Sequence, residues 1–208
     1  LKKNVRKESS RLWIERQIND PYVLRAQTEG WRARSAFKLI ELDDKFHLLK
    51  RGARVVDLGA APGSWAQVAV KRGAGRVVGI DLLPIEPLAG ATFLEMDFLS
   101  PQAPAALLKE LGGAPDIILS DMAANTTGHA RTDQIRTGAL AEAAAEFALE
   151  HLAPGGVFVT KGFQGGLEAA LLTRLKQNFD TVRHAKPPAS RAESAEVYVV
   201  ATGRKAAR

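Results

Sequence analysis

From about residue 53 onward the chain alternates between two textures. Short, nearly continuous apolar runs recur: ARVVDLG (53–59), RVVGIDLLP (76–84), TFLEMDF (92–98), PDIILSDMA (115–123), GGVFVTKGF (155–163) and EVYVVATG (196–203). Such runs carry no polar alternation, so they fit strands buried on both faces, as in a parallel sheet. Stretches with helical spacing lie between several of them, at 64–72, 102–111, 133–151 and 166–177. Strands alternating with helices predict an α/β fold, a doubly wound and mostly parallel sheet with helices on both faces. The last stretch departs from the alternation. FDTVRHA (179–185) and EVYVVATG follow one another with no helix between, and a hairpin there adds a final antiparallel strand.

Upstream of residue 53 the pattern is helical. Asp20-Pro21 reads as a helix start, with Asp as N-cap and Pro at the first helical position. Residues 34–48 place Ala36, Leu39, Ile40 and Leu42 at helical spacing. Residues 1–12 are polar and are expected to fray. A chain of 208 residues is then read as one domain over 34–208, preceded by a basic, partly helical extension over 1–33.

Composition narrows the function classes. There is no cysteine, which excludes disulfides, thiolate metal sites and a cysteine nucleophile. No apolar run approaches the roughly 18 residues of a membrane span, and LKKNVRKESSRLWIERQ lacks the apolar core of a secretory signal. A cytoplasmic protein with no membrane partner is expected. The net charge is +6, unevenly spread: residues 1–50 hold 12 Lys/Arg against 7 Asp/Glu, residues 51–150 hold 8 against 12, and residues 151–208 hold 9 against 4. Two basic ends around an acidic middle suit a polyanion, and equally a solvated surface with basic tails.

Ligands of such sheets bind at the carboxyl ends of the strands, which here carry Asp57, Asp81, Asp97, Asp121 and Lys161. The first strand–helix turn reads Asp57-Leu58-Gly59-Ala60-Ala61-Pro62-Gly63-Ser64-Trp65. Small residues let backbone approach a ligand. The pattern is neither G-x-G-x-x-G nor the G-x-x-x-x-G-K-[ST] of a phosphate loop; D-x-G-x-x-P-G looks like motif I of S-adenosylmethionine enzymes. Asp81 then suits a ribose diol and Asp97 the adenine amine. Gly59 alone reads equally well as a tight turn. Lys161 follows a buried strand directly, and Lys38 interrupts the apolar stretch Ala36–Ile40; a lysine so placed is more often ion-paired or snorkelling than catalytic. Spacing does not bring Lys38, Asp121, Lys161 and Glu196 together.

Over nearly its whole length, from about Ser9 to Gly203, the chain resembles the FtsJ/RrmJ family of bacterial ribosomal RNA ribose methyltransferases. The resemblance is carried by SSRLWIERQINDPYVLRAQTEGWRARSAFKLIEL, VVDLGAAPGSWAQV, IDLLP, SDMAAN, LAPGGVFVTKGFQG and SRAESAEVYVVATG. It implies a Rossmann-like class I methyltransferase that uses S-adenosyl-L-methionine and no metal. The implied substrate is a uridine ribose of 23S ribosomal RNA within the large ribosomal subunit. The implied Lys-Asp-Lys-Glu catalytic tetrad falls on Lys38, Asp121, Lys161 and Glu196, and the cofactor contacts on Gly63, Trp65, Asp81, Asp97 and Asp121, beside Asp57, Gly59 and Pro62 of the loop. By resemblance Lys161 is the general base. It can act so only as a neutral amine, favoured by burial and Lys38 and opposed by Asp121 and Glu196; as a cation it would orient the hydroxyl instead. RNA contacts are expected at Arg11, Arg32, Arg34, Lys186 and Arg191, with Lys7 further out, in a monomer. Three positions depart from the family: Ala124 stands where Pro is usual, Ser64 where Gly is frequent, and Gly162 where Val is. The change at 124 is expected to loosen the loop after the fourth strand, and that at 162 the chain beside Lys161, without removing a tetrad group. Two rivals remain at this point: a non-catalytic RNA-binding ribosome-assembly factor on the same scaffold, and a 2′-O-methyltransferase of another RNA.

Overall fold

A computed structural model describes residues 20–124, 128–163 and 169–206. Residues 1–19, with Lys7 and Arg11, lie outside the described residues. The first helix, α1 (Pro21–Glu29), starts as expected: the Asp20 carboxylate accepts from the Tyr22 amide at 3.0 Å, and the helix closes on Gly30 in the left-handed region. Helix α2 (Ala36–Phe46) buries Ala36, Phe37, Leu39 and Leu42.

The remainder winds as β1 (Arg54–Leu58), α3 (Ser64–Lys71), β2 (Arg76–Asp81), β3 (Ala91–Glu95), α4 (Ala103–Leu111), β4 (Ile117–Ser120), α5 (Ala130–His151), β5 (Val157–Phe163), α6 (Ala169–Asn178), β6 (Phe179–Ala185) and β7 (Glu196–Arg204). Seven strands form one sheet in the order β3-β2-β1-β4-β5-β7-β6. The first five pair in parallel, with Asp57 opposite Gly79 and Leu58 opposite Ser120. Strand β7 runs antiparallel to both neighbours, with Lys161 opposite Tyr198. The predicted hairpin is therefore present, and its second strand inserts between β5 and β6.

The continuous apolar runs have a simple cause. Neighbouring residues point to opposite faces of the sheet, and both faces are covered. Val56, Val78, Ile118 and Phe158 pack with Leu107 of α4, Ala144 and Ala148 of α5 and Leu175 of α6. Val55, Val77, Leu119 and Val159 pack on the other face with Leu39 and Leu42 of α2 and Val68 of α3. A polar residue at either parity would face a core, so the runs cannot alternate. Among the described residues no helix is long and apolar enough to cross a membrane.

Strand order reverses between β1 and β4, and at such a switch point the loops diverge and leave a crevice above the strand ends. The chemistry-bearing residues lie there. In the extension, α1 packs on α2 and on the segment between β6 and β7 through Ala26, Phe37 and Ala189.

Candidate active site

Two groups of side chains meet above the strand ends. The first lines a cleft of about 320 Å³, bounded by Gly59 and Ala61 after β1, Asp81 and Leu83 after β2, Asp97 after β3 and Asp121 and Met122 after β4. This volume lies at the small end of those that hold small organic ligands. The loop after β1 is shaped by its glycines. Gly59 and Gly63 have φ of 75° and 96°. A Cβ on Gly59 would stand 2.7 Å from the Met122 side chain, and one on Gly63 would stand 2.6 Å from an Arg32 nitrogen. The walls are pinned by carboxylates: Asp81 accepts from the Ala61 amide and the Leu83 amide, both at 2.9 Å, and Asp97 accepts from the Leu99 amide at 2.9 Å.

Asp57 sits beneath this loop, not in the cleft. One of its oxygens accepts from the Ala66 amide at 3.0 Å, while the other is buried without a partner among the described residues. Burial, reinforced by the charges of Asp121 and Asp81 against the pull of the Ala66 amide, pushes its carboxyl up to about 7. Trp65 is also buried. Its indole N–H donates to the Ser35 carbonyl at 2.8 Å, and its ring lies 5.8 Å from that of Tyr198. Of the eight cofactor candidates, Gly59, Asp81, Asp97 and Asp121 line the cleft. Asp57, Pro62, Gly63 and Trp65 belong to the loop and its supports.

The second group is the predicted tetrad, and the fold brings its members together. Lys161 Nζ donates to the Asp121 carbonyl at 2.7 Å and lies 3.1 Å from the Asp121 carboxylate. Lys38 Nζ lies 2.7 Å from Glu196 and 4.0 Å from Asp121. Both lysines are largely withdrawn from solvent, at 9% and 7% exposure for Lys38 and Lys161. Burial works to raise the Asp121 carboxyl, but Lys161, Lys38 and a hydroxyl donor outweigh it and hold it below the usual carboxylate range.

That hydroxyl belongs to Tyr198, which the sequence reading missed. It donates to Asp121 at 2.7 Å and is 3.3 Å from Glu196, while its ring is fully buried. Burial first, then the two carboxylates, raise the Tyr198 phenol well above its ordinary value, so it remains a donor. The signal was available, because Tyr198 stands two residues after Glu196 and shares its face of the strand; a tyrosine in a buried strand needs a partner for its hydroxyl. Ser190, also missed, donates to Glu196 at 2.8 Å. Its loop has no periodicity to mark it.

The departures from the family pattern are used locally. The Ala124 amide, which proline would lack, donates to the buried Thr137 hydroxyl at 3.2 Å. The Ser64 and Ser35 hydroxyls are 2.6 Å apart, joining α3 to the turn before α2. Gly162 pairs with Val197 within the sheet.

The described basic candidates all have partners within the protein. Arg34 lies 3.0 Å from Asp20 and donates to the Ala189 carbonyl, and Arg191 lies 3.6 Å from the same Asp20. Lys186 donates to the Ala192 and Ser194 carbonyls. Arg32 donates to three carbonyls, those of Pro62, Glu86 and Pro87.

The sequence profile described as FtsJ-like methyltransferase matches residues 31–204. A ribosomal RNA large subunit methyltransferase E of Xanthobacter autotrophicus is 60% identical over 203 residues, covering 95% of this chain and 80% of its own. A protein of the same name from Novosphingobium aromaticivorans is 60% identical over 201 residues, covering 96% and 90%. Among solved structures, one described as a ribosomal RNA methyltransferase of Plasmodium falciparum superposes with a TM-score of 0.76 at 29% identity, covering 85% of this chain and all of that one. The fibrillarin/Nop5p complex shares the fold alone, with a TM-score of 0.53 at 18% identity over 80% of each chain.

Proposed function

Since this chain belongs to the FtsJ-like methyltransferase family, we propose that it methylates the 2′-hydroxyl of a uridine ribose in 23S ribosomal RNA of the large subunit, using S-adenosylmethionine. The observation that carries the reading is the convergence of Lys38, Asp121, Lys161 and Glu196 at one edge of an acid-lined cleft, with Asp121 common to both. The large-subunit RNA methyltransferases that share 60% of its residues support the substrate.

The cleft fits the cofactor. Asp81 and Asp97 each present a carboxylate at the wall, suited to a ribose diol and an adenine amine, and side-chain-free Gly59 leaves room for close approach. When bound, the cofactor supplies a methyl group on a sulfonium, open to attack by an oxygen nucleophile. The protein's task is positioning, which removes much of the entropic barrier of a two-reactant step, together with management of one proton.

Lys161 takes that proton. To act as the base its Nζ must first give up its own proton; it then accepts the proton of the ribose hydroxyl. The ammonium so formed is stabilised by the Asp121 carboxylate and carbonyl, at 3.1 and 2.7 Å. Tyr198 and Lys38 hold Asp121 ionised and fix its orientation. Glu196 neutralises Lys38 and is itself oriented by Ser190. The RNA approaches over Arg34, Arg191 and Lys186, with Arg11 beyond the described residues. Arg34 and Arg191 share a single carboxylate, which leaves excess positive charge for phosphate.

The test is incubation with isotope-labelled S-adenosylmethionine and large subunits lacking the modification, followed by nuclease mapping, with Lys161→Ala in parallel. Label on a uridine 2′-oxygen that disappears in the variant supports the reading. Label on a base refutes the ribose assignment, and label on another RNA moves the substrate. Absence of label on subunits, free ribosomal RNA and transfer RNA returns the protein to a binding role.

A further inference from the structure

Arg32 has the composition of an RNA contact but not the geometry of one. It lies in the turn between α1 and α2, and its guanidinium donates to neutral main-chain oxygens. Nη1 donates to the Pro62 carbonyl at 3.0 Å and to the Glu86 carbonyl at 2.7 Å, and Nη2 donates to the Pro87 carbonyl at 2.7 Å. Among the described residues no carboxylate lies within salt-bridge range of it. The guanidinium carbon also lies 5.9 Å from the centre of the Phe93 ring.

The three carbonyls lie just behind the cleft, in the two segments whose neighbouring residues form its walls. Pro62 is in the loop after β1, whose Gly59 and Ala61 form one side. Glu86 and Pro87 are in the segment between β2 and β3, which leaves the strand through Asp81 and Leu83 on the other side. The turn that carries Arg32 is itself fastened: its amide donates to Gln67 of α3 at 3.0 Å, and Gln67 donates back to the Gly30 carbonyl at 2.8 Å. The absence of a side chain at Gly63 is what admits the guanidinium.

We propose that Arg32 is a positioning residue for the cofactor cleft, a brace that ties its two walls through three main-chain carbonyls, and not a contact to RNA phosphate. The inference rests on the reading that this cleft binds S-adenosylmethionine. Three of the five N–H donors of the guanidinium are committed to this brace, and the planar fork serves divergent carbonyls as no ammonium can. A role in phosphate binding depends on charge and survives Arg32→Lys. A brace depends on the fork and does not.

The experiment compares wild type, Arg32→Lys and Arg32→Ala by three readouts. These are dialysis with labelled S-adenosylmethionine, hydrogen exchange of residues 59–63 and 82–88 in the ligand-free protein, and RNA affinity across a salt series. Arg32→Lys is expected to weaken cofactor binding roughly tenfold, the scale of one lost charge-assisted hydrogen bond, and to speed exchange in both segments. Its RNA affinity should stay within about twofold, with the salt slope unchanged. Cofactor affinity unchanged in Arg32→Lys overturns the proposal. So does a loss of RNA affinity and salt slope in Arg32→Ala with cofactor binding intact. If Arg32→Ala does not fold, the Lys variant decides. If wild type binds no S-adenosylmethionine, the functional reading fails, and exchange judges the brace by itself: faster exchange in the variants upholds it and unchanged exchange removes it.

Discussion

The cleft and the tetrad share Asp121 but are built in different ways. The carboxylates that belong to the cleft alone are anchored by amides near them in the chain or on the adjoining loop: Asp81 by Leu83 and Ala61, Asp97 by Leu99. The tetrad is held by side chains from α2, β5 and β7 around the end of β4, with scarcely a local contact among them. The first design sets the shape of a wall and serves binding. The second sets charge and protonation at one point and serves a chemical step. Two aspartates make the contrast concrete. Asp57, under the cleft loop, has no cation beside it among the described residues, and burial raises its carboxyl to about 7. Asp121, half-buried at the edge of the cleft, has two lysines and a phenol, and its carboxyl is held low.

The sharpest way to break the comparison is Lys161→Ala. Methyl transfer in single turnover should fall by about 10²–10⁴, the range for loss of a positioned base, while cofactor affinity measured by dialysis stays near wild type. A comparable loss of affinity would mean that the two regions are not separable.

Next in size is the pH response of Asp57. Its folded value of about 7 lies above the ordinary 3.8, so between these values the native state binds more protons than the unfolded chain. Stability therefore falls as pH rises through that window, by on the order of 4 kcal/mol for the full shift. Asp57→Asn should flatten the decline of the thermal midpoint between pH 5 and 8 and be the more stable protein at pH 8. Asp121 has the opposite sign: its low value contributes stability that is present above about 4 and lost only in more acidic solution. An undiminished decline in Asp57→Asn would assign the pH dependence elsewhere.

Asp81→Ala removes the anchor of two amides and the proposed partner of the ribose diol. Cofactor binding should weaken by roughly 10- to 100-fold, with much less change in the rate at saturating cofactor. Calorimetry and saturation kinetics separate these quantities.

The smallest effect is expected for Tyr198→Phe, which keeps the ring against Trp65 but removes the donor to Asp121. Single-turnover rate should drop about tenfold and stability by about 1 kcal/mol, with cofactor affinity unchanged. A fall in affinity instead would show the tetrad acting on the cleft through the Trp65–Tyr198 contact.

What could be read in the sequence followed from this difference in construction. The acids of the cleft each close an apolar run, and the rule that ligands gather at the carboxyl ends of parallel strands places them without any knowledge of distance. Lys161 and Asp121 were marked by the same rule. Lys38 and Glu196 were not, since one lies within a helix and the other begins a strand. They joined the set only through resemblance to a family. Tyr198 was hidden as one more apolar-looking residue of β7, and Ser190 as one polar residue of a loop. Arg32 was grouped with other cations by charge, and charge does not reveal its acceptors.

The amino-acid pattern by itself determined the strands, the helices, the two-sided burial of the sheet and the acids on its binding edge. These depend on local periodicity and on the cost of placing polar groups in a core. Tertiary structure alone decided that β7 inserts between β5 and β6, which sets Tyr198 opposite Lys161 and brings Glu196 to Lys38. It also decided that the guanidinium of Arg32 ends on three carbonyls from two loops. Those contacts join residues far apart in the chain, and their partners are set by strand order and loop path, which no local pattern encodes.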